Sequence, residues 1–165
     1  MRRGVGSGVR VDNDLAALLL DPAARLELRV PMRWETRATS VRAHMGVHNS
    51  HGLPLTLGVQ VLTLKPWKLT AYLMIYGQHV RRLDVNGSHR NRTGDREEWV
   101  DRTHKHKFSE QHQDTVAYTP DDISTVPRAS VVGDHYRGAF EAFCGEQAIR
   151  LTGEYRWVDP VLPTR

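Results

Sequence analysis

From residue 25 to residue 118 the chain reads as one strand after another, and its two helical patterns are confined to the ends. Alternation carries this reading. Over 25–34, Leu26, Leu28, Val30 and Met32 oppose Arg25, Glu27, Arg29 and Arg33, and over 55–65 the residues Leu55, Leu57, Val59 and Val61 share one side. Successive strand side chains point to opposite faces, so each run has one apolar and one polar face. Residues 36–44, 68–84, 102–108 and 115–118 read as further strands, with 68–84 as one long strand or two after a break at Pro66-Trp67. Asn49-Ser-His-Gly52 and Asn86-Gly87 are turns, Gly94-Asp95 sits in a polar loop, and 119–127 is irregular. A short helix over 15–20 is capped by Asp12-Asn-Asp14 and ended by Asp21-Pro22. Over 134–149, Tyr136, Ala139, Phe140, Phe143, Cys144 and Ala148 recur at helical spacing, and Tyr155-Arg156-Trp157 reads as an edge strand. Alternating βα units are absent, which argues against a parallel doubly wound sheet. The expected fold is α+β: an antiparallel, strongly bent sheet with a short N-terminal helix and a C-terminal helix packed on one face.

A chain of 165 residues fits one core. The expected division is a flexible segment 1–11, a single domain 12–159 and a tail 160–165. Net charge is +4, and nine histidines add to it as pH falls. That balance suits a polyanionic partner and disfavours an acidic nucleic-acid mimic. The single Cys144 excludes an intrachain disulfide, fits a reducing cytoplasm and, within an apolar helical pattern, is expected to be buried rather than nucleophilic. No apolar run approaches the roughly 20 residues of a membrane span. The start, Met1-Arg-Arg followed by Gly-Val-Gly-Ser-Gly, is not expected to be a signal peptide. Trp67, Trp99 and Trp157 read as core or rim anchors rather than base-stacking platforms.

Chemistry concentrates in Arg82-Leu-Asp-Val-Asn-Gly-Ser-His-Arg-Asn91 and Thr103-His-Lys-His-Lys-Phe-Ser-Glu110. On a strand, His104 and His106 share a face about 7 Å apart at Cα, while Lys105 and Lys107 point the other way. If the strands around Asn86 and His104 pair, Asp84 or Asn86 can orient an imidazole. His89 follows the Asn86-Gly87 turn, where Gly87 allows close backbone approach and Arg90 and Arg92 can grip a phosphate. The bland alternatives are a polar sheet face for the histidines, a polar loop around His89 and a solvated strand end at Glu110.

A second group, His44, His48 and His51, has spacing that binds zinc on a helix, but Gly46, Asn49, Ser50 and Gly52 disfavour a helix, and no glutamate follows His44 as a metalloprotease requires. Cysteine pairs, an EF-hand loop, clustered carboxylates, a Walker-type loop, a dinucleotide fingerprint and a nucleophile elbow are all absent. No metal and no cofactor is therefore assigned.

The order of these motifs, followed by Ala117-Tyr118 and a closing helix with Phe140 and Phe143, resembles a group of small uncharacterised bacterial proteins often associated with phages and mobile elements. They carry an Asn-Gly-x-His-x-Asn turn, a His-x-His strand and an aromatic residue in the strand after it. The resemblance covers about residues 80–149 and rests on His89, Asn91, His104, His106 and Tyr118. It implies no particular activity.

The reading reached from the residues is a small basic protein acting on nucleic acid, as a metal-independent endoribonuclease of toxin or defence type. His104 and His106 are the expected acid–base pair and His89 a third candidate. Asn86, Arg90, Asn91, Arg92, Lys105 and Tyr118 are the expected substrate contacts, and Asp84 the orienting carboxylate. The alternative is a non-enzymatic phage or mobile-element accessory protein that binds a host defence complex or nucleic acid; a metal-dependent hydrolase using His104 and His106 is a third option. Expected partners are RNA ahead of other nucleic acid, or a host protein complex, without a membrane; a homodimer is one arrangement considered.

Overall fold

The computed structural model describes residues 9–100, 103–119 and 134–163. Its elements are α1 (Asn13–Leu20), β1 (Glu27–Leu28), β2 (Glu35–Thr36), β3 (Ser40–Val47), β4 (Leu55–Leu62), β5 (Lys65–Ile75) and β6 (Gln78–Val85). They continue with β7 (His89–Thr93), β8 (Arg96–Val100), β9 (His104–Lys107), β10 (Ala117–Tyr118), α2 (Asp134–Glu146) and β11 (Arg150–Leu151). Among these residues, seven strands form one sheet in the order β10-β9-β6-β5-β4-β3-β2, and every pairing in it is antiparallel. The fold is α+β, with its helices near either end.

The strand alternation sorts the sheet into two unlike faces. Rows such as Val41–Val61–Leu69–Val85 and Ala43–Val59–Ala71–Leu83 run across the ladder, and all eight side chains are buried. Ala16 and Leu19 of α1 and Tyr136, Phe140, Phe143 and Cys144 of α2 join the same hydrophobic core. The α1 start is capped by the Asp12 carboxylate, which accepts from the Leu15 N–H at 2.8 Å. α2 ends in a left-handed turn at Ala148 (φ 52°), where Ile149 N–H donates to Cys144 O at 2.9 Å and Ala148 N–H to Gly145 O at 3.1 Å. The other sheet face is polar and carries the site.

Several expected boundaries shift. The alternation over 25–34 yields only the two-residue β1, because Pro31 cannot donate to a ladder; Leu26, Leu28 and Met32 are buried all the same. Pro66-Trp67 does not break a strand but lies inside β5, after a turn at Thr63 and Leu64. Gly94 and Asp95 form the turn of a separate hairpin, β7–β8. Tyr155-Arg156-Trp157 is not a strand: Trp157 packs edge-on to Trp34 at 6.0 Å and against Phe140 at 5.5 Å. Val11 is fully buried, so the core begins within the expected flexible segment, of which residues 1–8 lie outside the described residues. Positions 101–102, the irregular stretch from 120 onward and tail residues 164–165 lie outside them too, while Leu162 packs against the core. No helix of the described residues is long and apolar enough to cross a membrane.

Candidate active site

The polar sheet face is written by register. Arg42, Gln60, Thr70, Asp84 and His104 pair in sequence across β3, β4, β5, β6 and β9 to form one row. His44, Gly58, Tyr72, Arg82 and His106 form the next. The β6–β9 pairing sets Asp84 directly opposite His104 and Arg82 opposite His106. After β6 the chain turns through Asn86 (φ 54°) and leaves the sheet as the β7–β8 hairpin, whose first residue, His89, comes back over β9. Three imidazoles thereby converge. Ring centroids are 5.8 Å apart for His89–His104, 4.7 Å for His89–His106 and 5.0 Å for His104–His106.

Hydrogen bonds fix the orientation of this cluster. His89 Nε2 lies 2.7 Å from the Thr115 carbonyl and must donate to it, which makes Nδ1 its basic nitrogen. His106 Nδ1 likewise donates to the Asp114 carbonyl at 2.7 Å, so Nε2 of the neutral ring accepts from Arg82 Nη2 at 2.8 Å. Arg82 also donates through Nε to Asp84 at 2.9 Å and through Nη1 to Asp114 at 2.6 Å. Asp84 Oδ2 stands 3.3 Å from Nε2 of both His104 and His106, and Oδ1 accepts from Thr70 Oγ1 at 2.6 Å. The His106 approach becomes a hydrogen bond only when that ring carries both protons.

Burial alone would raise the Asp84 carboxyl. The contacts with His104 and His106, the Arg82 guanidinium and the Thr70 hydroxyl outweigh it and hold the group well below its ordinary 3.8. Asp114 is held below 3.8 chiefly by its hydrogen bond to His79, against partial burial and with help from Arg82. Burial lowers His89 below 6.5; the carbonyl bond opposes this, and the nearby His106, His104 and Arg82 add to it.

A cleft of about 710 Å³ opens from His89 and His104 across the sheet toward β3. Among the described residues it is lined by Arg42, Lys68, Arg82 and four histidines against one carboxylate, Asp84. Its middle is the Tyr72 ring, which lies over Gly58; a Cβ there would stand 2.1 Å from Tyr72 Cε2. The Tyr72 hydroxyl meets His44 Nε2 at 2.5 Å, and its ring meets that of His79 at 4.9 Å. Gly87 serves the other end, since a Cβ there would come within 2.9 Å of His104 Cε1.

The structure thus brings together His89, His104, His106 and Asp84. It corrects the expected roles of others. His106 is fully buried and absent from the cleft lining; His104 is buried too, at 2 % exposure, but lines the cleft with His89. Asn86 is buried and donates to the Trp67 carbonyl at 2.9 Å, which makes it a turn residue. Asn91 is buried too and clips β7 to β10 by donating to Ala117 O and accepting from Ala117 N, both at 2.7 Å. Arg90 and Arg92 lie on the hairpin outside the cleft lining and share Glu97 at 3.3 and 3.1 Å; Arg90 also stacks at 4.5 Å on the exposed Trp99. Lys105 faces the core, buried, with its ammonium on Glu146 at 2.5 Å. Tyr118 pairs with Lys105 across the ladder and carries the Lys107 ammonium over its ring at 4.9 Å, again away from the cleft. Arg82, Thr70 and Tyr72 were not anticipated, although Arg82 lies two residues before Asp84 and so on its face. His79 and Asp114 were missed as well, and Asp114 sits in a loop with no periodicity to reveal it.

Ring nitrogens of His89, His104 and His106 all lie within 4.8 Å of one another, a donor set that suits zinc in kind. Donors around an ion bound at about 2.0–2.1 Å stand roughly 3.3–3.4 Å apart, so the rings would have to close in. Arg82 would also have to release His106 Nε2. The fold and site define a small α+β protein with an imidazole-rich, cationic cleft on the open face of its sheet. Comparison with protein-family models, with curated proteins and with solved structures found no match in any of the three.

Proposed function

We propose that this protein cleaves RNA without a metal, by transferring the phosphodiester to the 2′-oxygen of the nucleotide being cut. The observation that supports this most directly is the convergence of His89 and His104, 5.8 Å apart, at one end of a cationic cleft. Two imidazoles at that separation can flank one phosphoryl group. His89 Nδ1 takes the proton of the 2′-hydroxyl as its oxygen bonds to phosphorus, and His104 gives a proton to the 5′-oxygen as the P–O5′ bond breaks. The products are a 2′,3′-cyclic phosphate and a free 5′-hydroxyl. The Thr115 carbonyl holds His89 and Asp84 holds His104, while Arg82 fixes Asp84 and Lys68 brings positive charge to the cleft for the phosphorane. The resemblance to phage- and mobile-element-associated proteins and the cytoplasmic setting suggested by a single buried cysteine fit a toxin or defence role.

The test is incubation of the protein with mixed RNA in EDTA, followed by end-group analysis. Cyclic phosphate ends, lost in His89→Ala and His104→Ala and absent when the 2′-hydroxyl at the cut is removed, uphold the reading. A metal-assisted reading draws on the three-nitrogen spacing, and cleavage that EDTA abolishes and zinc restores would establish it instead. RNA or host-complex binding with no cleavage under either condition would favour the accessory protein.

A further inference from the structure

The cleft runs well past the imidazoles. Arg42 opens on β3 the same cross-strand row that ends at His104 on β9, four strand spacings away. At about 4.8 Å per spacing the row is about 19 Å long. Both end residues line the one cleft, and Lys68 lies along it. Among the described residues the buried Nε of Arg42 has no hydrogen-bond partner. Glu35, its cross-strand neighbour on β2, is ion-paired with Arg37 instead. A guanidinium nitrogen left unsatisfied under cover costs folding free energy, and turning the side chain onto an anion in the cleft would remove that cost.

The span matches a polymer. At the stacked rise of about 3.4 Å per nucleotide, 19 Å corresponds to between five and six nucleotides of one strand, and to fewer if the strand is extended. The volume, about 710 Å³, is that of a small-ligand pocket, enough for a short stretch of single strand and too little for a duplex. Between the ends lies the Tyr72 ring, close over Gly58.

We infer that Arg42 forms a second phosphate subsite at the far end of the cleft, so that the substrate is a single RNA strand several nucleotides long. This rests on reading the His89–His104 end as the place of cleavage.

The experiment is a length series: oligoribonucleotides of two, four, six and eight residues cut by the wild-type protein, Arg42→Met, Arg42→Lys and Lys65→Met, the last being exposed and outside the cleft. The expected result is a wild-type kcat/KM that rises on the order of tenfold from two to six nucleotides and then levels. Arg42→Met abolishes most of that gain, Arg42→Lys keeps part of it and Lys65→Met all of it. In a His104→Ala background, where the RNA stays intact, Arg42→Met lowers the slope of log affinity against log salt by about one. Wild-type cleavage independent of length overturns the inference whether or not Arg42→Met folds. So does an Arg42→Met loss equal at every length, and in both cases the nuclease reading stands. If no oligonucleotide is bound or cut, that reading fails and this one with it.

Discussion

Arg82 Nη1 lies 2.6 Å from Asp114 Oδ2, joining the middle of β6 to the loop that follows β9. The same guanidinium donates to Asp84 and to His106, so one planar group sets the position of two carboxylates and a ring. Lysine has three donors on one compact nitrogen and cannot reach acceptors spread around a planar fork. Arg82→Lys is expected to lower kcat on RNA about 100-fold with a smaller change in KM, and to cost about 1–3 kcal/mol in stability as the buried acceptors lose their donors. Steady-state kinetics with urea melts check both. Asp84→Asn should cost a similar amount, about 1–3 kcal/mol, because Asp114 still pairs with the guanidinium while the imidazoles lose their carboxylate.

Gly58 is required by the ring above it. Gly58→Ala places a methyl group 2.1 Å from Tyr72 Cε2, and the buried ring must lift. The expected cost is about 1–3 kcal/mol of overpacking. The His44–Tyr72 hydrogen bond should be lost with it, visible as a shift of the Tyr72 hydroxyl or His44 ring resonances. A neutral melt with unchanged resonances would refute the placement of Tyr72.

Acid should weaken the fold in two stages. His44 and His89 are both lowered from 6.5, first by burial, so below that pH the unfolded chain binds protons that the folded chain resists. Stability therefore falls as pH drops from about 6.5 and levels once both rings are protonated in the fold. Asp84 and Asp114 are lowered from 3.8, and what they contribute is lost only as pH falls from about 3.8 through their folded values. Urea midpoints against pH should show both steps, and His89→Gln should shrink the first. The acid limb of kcat/KM, set by His89 as base, should lie below pH 6.5.

Lys105 belongs to the core, not the substrate. Lys105→Met replaces a buried ammonium whose partner, Glu146, is exposed to water, so it should cost no more than about 1 kcal/mol. The double variant Lys105→Met with Glu146→Leu should change stability little further, since the Glu146 carboxylate is already solvated. Cleavage per folded molecule should be unchanged in both; a selective rise in KM would return Lys105 to the site.

Ala148 occupies a left-handed position after α2, φ 52°. Gly at such a site carries no Cβ penalty. Ala148→Gly should raise thermal stability, by about 0.5–1 kcal/mol. A loss would mean that the turn relaxes in solution.

What could be read from the chain followed from parity along strands. His104 and His106 share a face because they are two residues apart, Lys105 takes the opposite one, and Asp84 can meet an imidazole once β6 and β9 are paired. The same rule was available for Arg82 and for Arg42 with His44, but it says nothing without a register, and the register across five strands comes from their packing together. Pairing across the sheet is what turns Arg42 and His104, 62 positions apart, into two ends of one row. Asn86 and Asn91 misled for a different reason: an amide in a polar segment looks like a ligand contact, yet both satisfy backbone groups that the turn and hairpin would otherwise leave buried and unpaired. Over 25–34 the alternation records burial, and only Glu27 and Leu28 join a ladder.

One parallel pairing lies outside the main sheet. β1 runs parallel to β11, Glu27 beside Arg150 and Leu28 beside Leu151, with the Arg150 guanidinium on the Glu27 carboxylate. The two charged partners are 123 positions apart. At a translation rate of about 5–20 residues per second, roughly 6–25 s pass between the appearance of one and of the other. Through that interval Leu26 and Leu28 wait for the neighbour that will cover them, while the hairpins of β3 to β6 are already free to form. The clasp is therefore among the late joins open to the newborn chain, available only after every strand of the polar face has been made.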